Sequence, residues 1–185
     1  MRAIFLSTAA FALMGMAPTG AMQTSIGGSS AESCYHAAVA RDASTQSLKE
    51  CNSALGQEVL AFDDLVASYV NRGVLRLVLA DYRGAEFDFN QAMRLAPSQA
   101  EAYLNKGVAR YQQGDTQGAI QNFERALELR TRYPEIAYFG RALANEDRGN
   151  IKAAYSDLKR ASQLSPKWEA PQRELTRFQV RKPSA

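Results

Sequence analysis

Between Tyr69 and Pro166 the chain repeats itself about every thirty-four residues. Tyr69, Gly73, Ala85, Phe89, Ala92 and Pro97 form one set. Tyr103, Gly107, Ala119, Phe123 and Ala126 form the next, with Thr131 in the proline's place. Tyr138, Ala142, Ala154, Leu158, Ala161 and Pro166 form a third, displaced by one further residue. A unit of this length cannot bury its apolar side alone, so the copies must stack on their neighbours. Stacks of this kind present an extended surface suited to holding another protein, which points away from an enzyme.

The local grammar inside each copy is helical. Ser98-Gln99-Ala100-Glu101 has the form of a capping box, so a helix is expected from near Gln99. Ala102, Tyr103, Val108, Ala109 and Tyr111 then follow helical spacing until Gly114-Asp115 stops it. Asp115 is placed to cap a second helix, whose apolar face is Ala119, Ile120, Phe123, Ala126 and Leu127. The same reading pairs Asp64 to Leu79 with Arg83 to Leu95, and Pro134 to Glu146 with Ile151 to Leu164. Each copy is thus an antiparallel helical hairpin. Glycine inside a helix costs about 1 kcal/mol against alanine. Its return at Gly73 and Gly107, opposite Phe89 and Phe123, predicts two helices too close for a side chain.

These features resemble the tetratricopeptide repeat family. The resemblance is closest over Ala100 to Leu129, with Ala-Glu-Ala-Tyr, Gly107, Gln113-Gly114-Asp115, Ala119-Ile120, Phe123 and Ala126-Leu127-Glu128-Leu129. Val66 to Pro97 follows the pattern with Ala80 at the usual turn glycine, and the third copy departs at Ala142 and Leu158. The usual aromatic late in the first helix is displaced by Arg76, Arg110 and Asn145, with Leu77 and Tyr111 one place on. The resemblance implies an all-α solenoid of three repeats, near 66–99, 100–133 and 135–168, within a region spanning 61–166. It also implies a concave groove lined from the first helices, by Val70, Asn71, Val74 and Leu77, then Leu104, Asn105, Val108 and Tyr111, then Phe139, Leu143 and Glu146. Asn71 and Asn105 are the candidates to hydrogen-bond an extended peptide backbone. A clamp for a terminal carboxylate is not expected, because Val70, Val74 and Leu104 stand where such a clamp needs lysine or asparagine. The alternative is that the chain's own N-terminal hairpin or terminal helix covers this lining.

The ends read differently. Arg2, the apolar run Ala3 to Ala17 and the small residues up to Ala21 describe a secretory signal cut after Ala21, with 22–30 as a flexible lead-in. The apolar run falls short of the roughly twenty residues of a spanning helix, so stable membrane insertion is not expected. The expected location is outside the cytoplasm, in the periplasm of a Gram-negative bacterium. Cys34 and Cys51 fall in a helical hairpin over 31–60, a degenerate leading repeat, equidistant from the turn Arg41-Asp42-Ala43-Ser44. In an oxidising compartment a bond between them is expected; otherwise they are two buried thiols. Residues 167–185 give a solvating helix, whose Trp168, Leu175 and Phe178 can pack on the third repeat, and a basic tail.

Chemistry is sparse. His36 is the only histidine and lies two residues from Cys34, a spacing that points the two side chains to different helix faces. No metal-ligand spacing, phosphate loop or serine-nucleophile elbow appears, so no catalytic residue, cofactor or metal is expected. The net charge of +3 demands neither nucleic acid nor membrane. The expected partner is another protein or a peptide. Two alternatives stay open: a self-associating structural protein such as a homodimer, and an anionic surface bound through Lys159, Arg160, Lys167, Arg173, Arg177, Arg181 and Lys182.

Overall fold

The computed structural model describes residues 29–178, and among them all regular structure is α-helical. The signal segment 1–21, the lead-in before Ser29 and the basic tail residues Arg181 and Lys182 lie outside the described residues. The helices are α1 (Ser30–Ala40), α2 (Thr45–Gln57), α3 (Phe62–Val78), α4 (Tyr82–Leu95) and α5 (Ala100–Gln112). After them come α6 (Thr116–Glu128), α7 (Pro134–Asp147), α8 (Ile151–Leu164) and α9 (Glu169–Arg177). Each helix packs on the next, and the first helices also touch along the stack: α1 on α3, α3 on α5, α5 on α7. This is a solenoid with the first helices on its inner side, the arrangement that the repeat predicts.

Ring-against-glycine contacts set the helix spacing. A Cβ on Gly107 would lie 2.7 Å from Phe123 Cε1, and one on Gly73 would collide with the Phe89 ring. The Phe123 ring is also the obstacle at Gly140, which belongs to the next repeat. One ring therefore fixes both the spacing within a hairpin and the spacing to the hairpin that follows. In the third copy Ala142 and Leu158 share the same cluster and take the places of glycine and ring.

Polar groups lock the same register. Asp88 is fully buried on α4 and accepts from Arg72 Nε at 3.0 Å, Arg72 Nη2 at 2.7 Å and Arg76 Nη1 at 2.8 Å. Burial pushes its carboxyl up, against the pull of the two guanidinium groups. The third repeat copies the bidentate pair, with Arg141 Nε and Nη2 each 2.8 Å from Asp157. The second repeat carries Lys106 and Asn122 at these places. Its cations reach back instead: Arg110 bonds Glu86 of α4 and Lys106 Nζ lies 2.7 Å from Asn90 Oδ1.

Turn chemistry follows the sequence with two departures. Asp81 and Asp115 cap α4 and α6 by accepting from the amides of Gly84 and Gly118. Ala80 holds the left-handed conformation, φ 58°, that Gly114 and Gly149 take at the matching turns. The capping box at Ser98 does not form: the N-cap of α5 is Gln99, with no side-chain cap. Glu101 is buried and accepts from the backbone N–H of Arg132 at 3.1 Å, so it braces the turn into the next repeat.

At the N-terminal end α1 and α2 both pack on α3. Cys34 and Cys51 are joined in a disulfide, with a Cα–Cα distance of 4.7 Å, fully buried against Val74 and Leu75. Arg72 Nη1 also bonds Asn52 Oδ1 at 2.8 Å, tying α3 to α2. At the other end α9 packs on α8, and Trp168, Leu175 and Phe178 join the cluster of Phe139, Leu143 and Leu158.

Two outcomes follow from this packing. Gly107→Leu destabilises the fold by about 1–3 kcal/mol or more through overpacking, whereas Gln121→Leu, at an exposed place on α6, changes little; thermal melts of both variants, followed by circular dichroism, check it. Replacing Cys34 and Cys51 by serine removes about 2–4 kcal/mol of local stability. Hydrogen exchange then quickens in α1 and α2, while α5 to α8 keep their protection.

Candidate functional site

The inner side of the stack places corresponding residues of successive first helices in rows. Val70, Leu104 and Phe139 share one register. Asn71, Asn105 and Gly140 share the next, followed by Val74, Val108 and Leu143, and then by Leu77, Tyr111 and Glu146.

Most of the expected lining is not open. Val70 is buried with Val66, Ala92 and Ala102, and Leu104 with Phe123 and Ile136. Their register points them at the helices of the adjoining hairpins, not at the groove. Asn71 and Asn105 are also buried, and the Asn105 amide donates to the Glu101 carbonyl of its own helix at 3.0 Å. The expectation that these two amides face a bound peptide is corrected accordingly.

The remaining losses come from the chain's own ends. Val74 is buried beneath Cys34, Ala37 and Ala38 of the leading hairpin. Phe139 and Leu143 are buried under the terminal helix, with the Trp168 ring edge-on to Phe139 at 4.7 Å between centroids. Leu77, Val108 and Tyr111 are left half-exposed, with Val78 beside them 47% exposed. The accessible inner face is therefore centred on the end of α3 and the second half of α5.

Its far edge is acidic. Glu146 and Asp147 end α7, and Glu174 comes from α9. Burial raises the Tyr111 phenol well above its ordinary value, helped by the Asp147 charge and the hydrogen bond between the two. Burial also raises the Glu146 carboxyl, opposed by Arg177, whose Nη2 lies 2.6 Å from Glu146 Oε1. Arg177 pairs with Glu174 as well, so it is committed to this edge and leaves the basic run in which the sequence placed it.

The cysteine–histidine pair does not form. Cys34 is committed to its disulfide, so it offers His36 no thiol. His36 lies at the surface, 3.8 Å from Glu32. Among the described residues no group of three metal-ligating side chains occurs, and no helix is long and apolar enough to cross a membrane.

Sequence reasoning missed Arg72–Asp88 and Arg141–Asp157, although both pairs stand sixteen apart in matching places of two repeats. It also missed Gly140, which the third copy places where the first two have asparagine.

Residues 100–131 match the family model described as the tetratricopeptide repeat. No curated protein matches the chain.

Because Phe139 is core and not groove, Phe139→Ala lowers stability by about 3–5 kcal/mol. Urea unfolding, read at constant slope, checks it. A variant of unchanged stability would return this ring to the binding face.

Proposed function

We propose that this chain, one of whose helical pairs matches the tetratricopeptide repeat model, is a non-catalytic scaffold that holds a segment of another protein on the inner face of the stack. The observation that carries this is the half-exposed set Leu77, Val108 and Tyr111, in adjoining rows of two successive first helices, with the carboxylates of Glu146 and Asp147 at its edge. Such a face suits a segment that presents apolar side chains to α3 and α5 and a basic one towards α7. The compartment belongs to the same proposal. A basic start, a short apolar run and small residues before Ala21 support export, and a disulfide suits an oxidising space such as the periplasm.

A photo-reactive amino acid at position 108 or 111, introduced in the native cell, tests the site. Discrete protein adducts are expected there and not at position 121, which lies outside the inner face. Tyr111→Ala then weakens the captured partner's affinity by about 1–3 kcal/mol, as loss of a buried aromatic anchor does. Adducts only with a second copy of this chain would mean self-association instead, and equal labelling at 121 would sink the assignment.

A further inference from the structure

The outer face of α8 carries a second, separate surface. Ala154, Leu158 and Ala161 make the buried stripe of this helix. Asp157 is its only carboxylate, and Arg141 of α7 turns it inward with two bonds of 2.8 Å. With the acid spent inside, the solvent side keeps Lys152, Lys159 and Arg160, followed by Lys167 just beyond the helix end, all exposed. In the first two repeats Arg72 and Arg76 hold Asp88, and Lys106 and Arg110 hold Glu86. Among the described residues these four exposed cations have no ion pair of that kind.

Their arrangement says what kind of anion they fit. Lys152 and Lys159 stand two turns apart, about 10 Å along the axis. Lys152 and Lys159 share one face of α8, Arg160 stands about 100° round the helix from Lys159 and Lys167 lies beyond the helix end, so the cations match distributed negative charge and not a single phosphate. Ile151, 50% exposed, and Tyr155, 39% exposed with its ring 6.1 Å from that of Phe178 at the end of α9, lie to one side of Lys152 and Lys159 on the same helix. Cations beside partly bared apolar and tyrosine side chains are the pattern by which a helix lies at a lipid headgroup layer. Among the described residues α7 and α9 pack on α8 and leave these cations exposed, so a flat surface has access.

We infer that the outer face of α8 docks on an anionic phospholipid surface, with Lys152, Lys159, Arg160 and Lys167 at the phosphates and Ile151 and Tyr155 at the headgroup boundary. Each cation near such a surface adds to the attraction, and salt screens it.

The test is flotation of the full chain with vesicles of phosphatidylcholine alone or mixed with phosphatidylglycerol. Binding is expected only to the mixed vesicles, falling about tenfold or more between about 50 mM and about 300 mM salt. The variant K152Q/K159Q/R160Q/K167Q loses that binding, whereas R83Q/R94Q, on the outer face of α4, keeps it. Unchanged far-ultraviolet circular dichroism confirms that both variants fold. Equal binding to neutral vesicles, or no binding to the mixed ones, overturns the inference. So does a quadruple variant that binds as the parent does, since the attachment then lies elsewhere in the chain. Polyglutamate that binds this face while vesicles do not would assign it to an acidic polypeptide and overturn the lipid assignment.

Discussion

The contact on which the rest depends is a phenylalanine ring laid on a bare helix backbone. Phe123 occupies the space that a Cβ would need at both Gly107 and Gly140, so it sets the distance between α5 and α6 and between α6 and α7 together. Side chains in a close-packed interior cannot slide continuously, so a ring locked between two glycines also fixes rotation about the helix axes. Rotation decides which residues meet solvent. Arg72 and Arg141 reach Asp88 and Asp157 with the same two-bond geometry, beside the Gly73–Phe89 contact in the first repeat and the Ala142–Leu158 contact in the third.

The ends of the stack meet a problem that its middle does not, since a terminal unit lacks one neighbour. At the N-terminal end a covalent bond does what the ring does elsewhere: Cys51 lies at the place of Phe89 and Phe123 if the hairpin is aligned with the repeats, and its partner Cys34 joins α1 to α2. At the C-terminal end Trp168 reaches back over Phe139, and Arg177 pairs with Glu146, so a single helix closes the last apolar face. Both solutions use side chains that project onto the inner side. That is why they cover part of it.

The helical pairs were legible because they depend on local and periodic signals. Asp81 and Asp115 cap as their positions suggest, and the glycine–ring pairs announce close approach. The capping box at Ser98 misled because Glu101 finds a better donor in the Arg132 backbone, thirty-one residues away in the chain. Site residues were harder to read for a related reason. A periodic pattern says which residues share a row, but not whether a row faces solvent, a neighbouring hairpin or a returning terminus. Val70 and Leu104 went to the neighbours, Val74 and Phe139 to the two termini. Leu77, Val108 and Tyr111 stay partly open because, among the described residues, neither the leading hairpin nor the terminal helix covers them fully.

The coverage also constrains how a partner can be held. A segment laid along the whole inner face would have to displace the Trp168 ring from Phe139 and the leading hairpin from Val74, exposing apolar surface before gaining any. Lifting the hairpin would also break its buried contacts with Leu75, while the disulfide keeps its two helices joined throughout. A segment confined to the second repeat incurs neither cost. It meets apolar contact at Val108 and Tyr111 and negative charge at Asp147 within the span of two adjoining first helices. On the proposed reading, short partners with an apolar residue near a basic one fit this face better than long extended ones, because the leading hairpin and the terminal helix cover the rest.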